Sequence, residues 1–189
     1  MRKAALAVMM LLGATACMKT PGSKVEADVK KVQSEREPDK LVERGKGFAR
    51  LGDLTRAEQY LSAALEAGAE PKTVLPMLLR VCVEGGRLRV AIKHASDYLA
   101  NHPGDVKLRY LLGTLHKAVG EPEEARKQFD RVLEEDPSNA EAHYALAVID
   151  RDTNNDLVRA DYHFREYLRL RPAGPHAQEA QGSLLKGVP

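Results

Sequence analysis

Residues 106–139 read VKLRYLLGTLHKAVGEPEEARKQFDRVLEEDPSN, and the spacing of small and apolar residues in this stretch decides the fold. Leu112-Gly113 lies on a first apolar stripe of helical period, Gly120 breaks the chain, and Ala125, Phe129 and Leu133 lie on a second stripe. Pro137 stands just beyond the second stripe, where a helix cannot continue. Glu121, Glu123 and Glu124 gather at the start of the second helix, where negative charge complements the helix dipole. A small residue such as Ala125 early in that helix lets it cross the first closely, and Leu133, eight residues on, extends the same stripe. The stretch is therefore a pair of antiparallel helices joined by a glycine turn.

The pattern recurs with a period of 34 residues. Units lie at 38–71, 72–105, 106–139, and 140–174 with one inserted residue. Ala57, Ala91, Ala125 and Ala160 form one column, followed eight residues later by Leu65, Leu99, Leu133 and Leu168. The turn column holds Gly52, Gly86 and Gly120, with Asn154-Asn155 in the fourth unit, and Asn is the next most tolerant residue of a left-handed backbone. Four positions depart from the pattern: Arg44 occupies a column that is usually apolar, Leu79 stands where a small residue is expected, and Tyr98 and Tyr167 stand where alanine is. Composition agrees with an all-helical chain, since Ala, Leu, Glu and Arg dominate, Trp is absent and no alternating β-branched run occurs. A stack of such units exposes an apolar face at each end. Residues 175–189, with Ala177, Ala180, Leu184 and Leu185, supply a C-terminal capping helix and tail.

The period, Leu112-Gly113, the turn glycines, the Ala-x-x-x-Phe of Ala125 and Phe129, and the closing prolines together resemble the tetratricopeptide repeat family. The resemblance implies an all-α solenoid of about four helix-turn-helix repeats whose first helices line a concave groove for a protein partner. By the same resemblance, the groove columns fall on Val42, Lys46 and Arg50 in unit one and Arg80 in unit two. In unit three they fall on Lys107, Tyr110, Thr114 and Lys117, and in unit four on Glu141, Tyr144, Val148 and Arg151. The same five columns also hold Asp39, Ala49, Thr73, Pro76, Val83, Glu84, Ala118 and Asp152. For any one of these residues a solvated helix position is the competing reading. Tyr110 and Tyr144, one repeat apart, are candidates for a shared contact surface or for packing between stacked helices.

The N-terminus reads differently. Met1-Arg2-Lys3 precedes an apolar run to Ala16 that is too short to be an ordinary membrane-spanning helix and has the layout of an export signal. Ala14-Thr15-Ala16-Cys17 resembles the bacterial lipobox, which implies cleavage after residue 16 and lipidation of Cys17, with residues 17–37 as a lipidated tether. A conventional small-residue cleavage site is the alternative. Val25, Val29 and Val32 in this tether form only a narrow apolar face. Of 29 basic residues, cleavage removes Arg2 and Lys3, leaving 27 against 27 acidic ones. A neutral mature chain without a basic run interleaved with aromatics gives no case for nucleic-acid binding.

Residues for chemistry are sparse. No phosphate loop, nucleophile elbow or zinc-protease helix is present. Six histidines, at 94, 102, 116, 143, 163 and 176, show no three- or four-residue spacing for metal, and His116 and His143 fall in columns that are usually core. Cys82 between Val81 and Val83 reads as a buried thiol, with an intermolecular bridge as the alternative. Arg87 and Arg89 form the best small basic patch or are simply solvated. The expectation is a protein without catalytic residues, metal, cofactor or small-molecule substrate. It would bind a protein of the cell envelope while anchored by its lipid to the periplasmic face of the outer membrane. Lipidated repeat proteins of this type resemble the pilotins of type IV pilus secretins and repeat lipoproteins of gliding-motility complexes. A regulatory docking subunit for a peptidoglycan synthase or hydrolase is the alternative.

Overall fold

A computed structural model describes residues 37–186, so the export signal, Cys17 and the tether lie outside the described residues. The described residues are all-α. They form four helix pairs and a short ninth helix: α1 (Pro38–Arg50), α2 (Leu54–Glu66), α3 (Pro71–Glu84), α4 (Leu88–Asn101), α5 (Val106–Ala118), α6 (Pro122–Glu135), α7 (Ala140–Asp152), α8 (Leu157–Leu170) and α9 (Ala177–Gly182). Short polar side chains start the helices by satisfying free backbone donors. Asp53, Asp105, Asn139 and Asp156 accept from the amides of Arg56, Leu108, Ala142 and Arg159 at 2.9–3.1 Å. The turns inside the units carry Gly52, Gly86 and Gly120 at φ of 75°, 69° and 79°, and Asn155 takes the equivalent place at φ 50°. The inserted residue of unit four is thus absorbed by an asparagine that tolerates the left-handed region.

Within a unit the two helices meet where a small residue faces a large one. Gly45 lies against Leu61, whose Cγ would be 2.7 Å from an added Cβ, and Gly113 lies against Phe129 at the same distance. Ala147 and Phe164 repeat the arrangement in unit four, both fully buried. Unit two reverses it: the same register places Leu79 on α3 and Ala95 on α4, both buried in the core shared by units one and two. The bulk is moved from the second helix to the first, and α3 and α4 lie further apart than the helices of the other units. The alanine column at 57, 91, 125 and 160 is buried throughout. Of the leucines eight residues later only Leu99 is buried, while Leu65, Leu133 and Leu168 sit half-exposed at the rim of the core.

Polar groups clasp each unit to the next. Arg87 pairs with Glu58 and donates to the Leu54 carbonyl at 2.7 Å. Arg89 meets Glu121 at 2.7 Å, and Glu121 also reaches His116 at 2.9 Å. These contacts correct the reading of Arg87 and Arg89 as a basic patch, because each spends its charge on the neighbouring helix pair. Between units three and four, Arg126 pairs with the fully buried Asp150. Within unit four His143 and His163 bring their Nδ1 atoms to 3.0 Å, and His143 Nε2 lies 3.1 Å from the Pro137 carbonyl at the end of unit three. His143 Nε2–H donates to that carbonyl, leaving Nδ1 as the acceptor for His163. Burial, followed by the nearby His143, Arg159 and Arg126, lowers the His163 pKa to about 4.

The C-terminal cap is shorter than residues 175–189 suggest. The helix spans only Ala177–Gly182, and Leu184 and Leu185 follow it as a turn. Ala180 is fully buried against α8, and the Leu185 amide donates to Asp161 at 2.8 Å. Tyr167 fits a column that favours alanine because its hydroxyl accepts from the His176 amide at 3.0 Å and packs against Gly174, where a Cβ would clash with it. Among the described residues no helix is long and apolar enough to cross a membrane.

Candidate functional site

The first helices α1, α3, α5 and α7 lie side by side, and three gaps open between successive members. The gap between α1 and α3 is lined by Lys46, Ala49 and Arg50 on one side and Met77, Arg80 and Glu84 on the other. The gap between α5 and α7 is lined by Val106, Lys107 and Tyr110 facing Glu141, with Asp136 and Asn139 at its end. The gap between α3 and α5 is larger, about 670 Å³ against about 390 and 410 Å³ for the other two. Its floor is Leu75, Leu79, Leu108 and Leu111, its walls include Pro71, Pro76, Val83 and Tyr98, and its rim carries Lys72, Arg80, Glu84 and Lys107.

Local sequence accounts for that gap. Leu79 turns its bulk inward where the other units have Gly or Ala, which sets α3 away from α4. Pro76 inside α3 has no N–H for the Lys72 carbonyl, so an acceptor on the groove side loses its helical donor. Tyr98 fills the space at the end of α4, stacked on His102 with centroids 4.0 Å apart. Sequence reasoning did not place Leu108, Leu111 and Tyr98 at this site. The available signal was the simultaneous departure of Leu79 and Tyr98 in one unit.

The structure separates the expected groove residues of units one to three into three groups. Lys46, Arg50, Arg80, Lys107 and Tyr110 line the gaps. Val42 turns into the core, only 8% exposed, and presents nothing to a ligand. It neighbours Leu41 on α1, and a modest rotation of the helix carries it from the groove stripe to the buried one. Thr114 and Lys117 are exposed but line none of the three gaps, and Thr114 donates its hydroxyl to the Tyr110 carbonyl at 3.1 Å.

The unit-four residues are engaged by the end of the chain, which lies beside α7 as a truncated fifth first helix. Tyr144 stacks on His176 with centroids 3.8 Å apart and donates to Glu179 at 2.6 Å. Arg151 reaches Glu179 at 3.0 Å and Ser183 at 2.8 Å, and Glu141 pairs with Arg171 at 2.9 Å. Val148 packs partly buried in the same cluster. Burial and the Glu179 carboxylate push the Tyr144 hydroxyl up to about 12, and the bonds from Tyr144 and Arg151 hold Glu179 below its usual range. Tyr110 instead leans on Phe129 at 5.4 Å, half-buried, with its pKa raised by burial and by Glu141. The two tyrosines thus have different partners, and Tyr144 acts as packing between helices.

Elsewhere Cys82 is fully buried, and burial pushes its thiol up to about 11, so it is chemically quiet. Among the described residues no three His, Cys, Asp or Glu side chains gather as a metal site.

Two sequence models described as tetratricopeptide repeat match residues 42–106 and 83–149, together more than half of the chain. The Arabidopsis thaliana protein CTR9 homolog is 30% identical over 126 residues, covering 64% of this chain and 11% of that protein. The Mus musculus aryl-hydrocarbon-interacting protein-like 1 is 41% identical over 51 residues, 27% of this chain and 16% of that protein. The chain therefore spans only a small part of the length of these curated relatives. Among solved structures, a tetratricopeptide repeat protein from Parabacteroides merdae superposes with a TM-score of 0.68 at 23% identity, covering 77% of this chain and 58% of that one. YrrB, described as a TPR protein with an unusual peptide-binding site, gives 0.66 at 19% identity, covering 85% and 88%. MamA from Desulfovibrio magneticus gives 0.61 at 20% identity, covering 75% and 80%.

Proposed function

The chain belongs to the tetratricopeptide repeat family, and from that premise we propose that it is a lipid-anchored scaffold that holds an envelope protein in the groove between its first helices. Cys17, directly after Ala14-Thr15-Ala16, supplies the anchor, and the tether places the repeats at the periplasmic face of the outer membrane. The role is assembly of a membrane complex, of the kind formed around a pilus secretin or a motility machine. The observation that carries the reading is the open α3–α5 gap of about 670 Å³, floored by four leucines. A soluble surface leaves an apolar concavity of this size open at a cost, and such concavities mark binding sites. YrrB, similar in fold, is described as binding peptide, which supports the same use of this face.

Site-specific photocrosslinking in the producing cell tests the proposal. A photoreactive residue at Arg80 or Lys107, in the groove, is expected to give a discrete adduct with one envelope protein. The same residue at Lys127 or Arg169, exposed on the second helices, is expected to give none. Adducts from Lys127 and Arg169 but not from the groove positions would overturn it.

A further inference from the structure

We propose that the α3–α5 cleft holds the single acyl chain of a zwitterionic lysophospholipid. This goes beyond the scaffold reading, because it gives the widest gap a lipid ligand, and that ligand excludes a protein partner from the same floor. The shape of the cleft decides what lies along it. Its lining runs down α3 from Pro71 to Glu84, about 20 Å at 1.5 Å per residue. A volume of about 670 Å³ spread over that length leaves a cross-section of about 34 Å², room for one extended chain but not for a helix about 10–12 Å across. The floor then separates a peptide from a hydrocarbon. Four leucines, two prolines and Val83 bring no side-chain donor or acceptor, and no Asn, Gln, Ser or Thr lines the cleft. A peptide laid there would bury backbone N–H and C=O groups without partners, whereas an acyl chain carries neither. The length also agrees, since one leaflet, half of a hydrocarbon core about 30 Å thick, holds its acyl chains in about 15 Å.

The rim fits a headgroup of mixed sign. Arg80 and Glu84 line one end and answer each other at 3.9 Å, while Lys72, Asp105 and Lys107 line the end where α3 and α5 begin. Lys72 and Lys107 make no ion pair among the described residues. Asp105 accepts from the Leu108 amide through Oδ1 at 3.0 Å, which leaves Oδ2 open among the described residues. Two ammonium groups and one carboxylate at one mouth complement a phosphate joined to an amine. Lys72 and Lys107 take the phosphate, and Asp105 takes the ammonium. Both lysines stand in the first turns of their helices, where the dipoles add to the attraction for the phosphate. A second acceptor for the ammonium lies close by, since Pro76 removes the helical donor of the Lys72 carbonyl. A headgroup of one sign would leave either Asp105 or the lysines unanswered, and a diacyl lipid would leave one chain outside a cleft this narrow.

The test mixes the full-length protein with phosphatidylcholine vesicles and two photoreactive probes that carry a diazirine on a single palmitoyl chain. One is a lysophosphatidylethanolamine and the other an uncharged monoacylglycerol. Mass spectrometry is expected to place the adducts on α3 and α5, with the lysophosphatidylethanolamine labelling about tenfold more than the glyceride. Combined Lys72→Glu and Lys107→Glu is expected to remove that preference while adducts on the leucine floor remain. Val83→Arg, at a side chain that lines the cleft and is 42% exposed, is expected to cut labelling by both probes at least about tenfold with an unchanged melting curve. Adducts spread evenly over the exposed helices, equal labelling by the two probes, or labelling unchanged by Val83→Arg would overturn the proposal. Loss of the adducts to the peptide Leu-Val-Pro-Leu-Val at a lower concentration than to unlabelled lysophosphatidylethanolamine would overturn it too, by giving the cleft to peptide. An envelope-protein adduct through Arg80 in cells, with no lipid adduct in the cleft, sinks this inference alone. Lipid adducts confined to the cleft, without an envelope-protein adduct, sink only the proposed function.

Discussion

The reversal at Leu79 and Ala95 gives a quantitative expectation. Leu79 is 3% exposed and Ala95 fully buried, so neither tolerates change alone. Leu79→Ala removes three buried carbons and leaves a cavity, costing about 2 to 5 kcal/mol. Ala95→Leu forces those carbons into a packed site, costing about 1 to 3 kcal/mol. The double variant places a small residue on α3 and a leucine on α4, the arrangement of Gly45 and Leu61 in unit one, with total volume conserved. It is expected to lose no more than about 1.5 kcal/mol, the range for volume-conserving exchanges. The coupling between the two sites is then at least about 1.5 kcal/mol, read from urea titrations of the wild type, both single variants and the double variant by far-UV circular dichroism. The double variant should also draw α3 toward α4 and weaken groove binding. If the single-variant losses add to within about 0.5 kcal/mol, the two residues do not share one packing site and the account of unit two is wrong.

The His143–His163 joint should make stability depend on pH. His163 stays neutral in the folded chain down to about pH 4 but titrates near 6.5 when unfolded, so the unfolded state binds more protons between those values. The wild type therefore loses stability as the pH falls from 6.5 toward 4, by roughly 3 kcal/mol in all; His163→Phe has no such group to titrate, so melts across that range should show the wild type falling relative to the variant by about that amount. Tyr144→Ala should free the C-terminal segment, so that limited proteolysis cuts after residue 171 faster than in the wild type, whereas Arg80→Ala should leave that rate unchanged. Cys17→Ser should abolish fatty-acid labelling and membrane retention with the melting curve of the repeats preserved; membrane attachment of the variant, with no label on the wild type, would exclude the lipid anchor.

Most of the fold was legible because the repeat imposes its physics four times over. One unit with Leu112, Gly113, Ala125 and Phe129 states which residues must be small and which large. The glycine turns state where the backbone must go left-handed, and Asn155 obeys the same rule. The candidate site was legible only in part. The columns located Arg80, Lys107 and Tyr110 on the open face, but a column fixes a residue's place along a helix more firmly than its rotation about the axis. Val42, beside a core position, turned inward for that reason.

The amino-acid sequence by itself determined the helix pairs, their turns and the alanine seam between them, because each depends on residues within one 34-residue period. Tertiary structure decided what Tyr144, Arg87, Arg89 and His163 do, because their partners Glu179, Glu58, Glu121 and His143 lie about 20 to 35 residues away on helices whose approach no local pattern specifies. It also decided that the gap between α3 and α5 is the widest. Leu79 looks like an isolated departure until the helices are packed and Ala95 is found facing it, and only then does the exchange of bulk between facing positions account for the cleft.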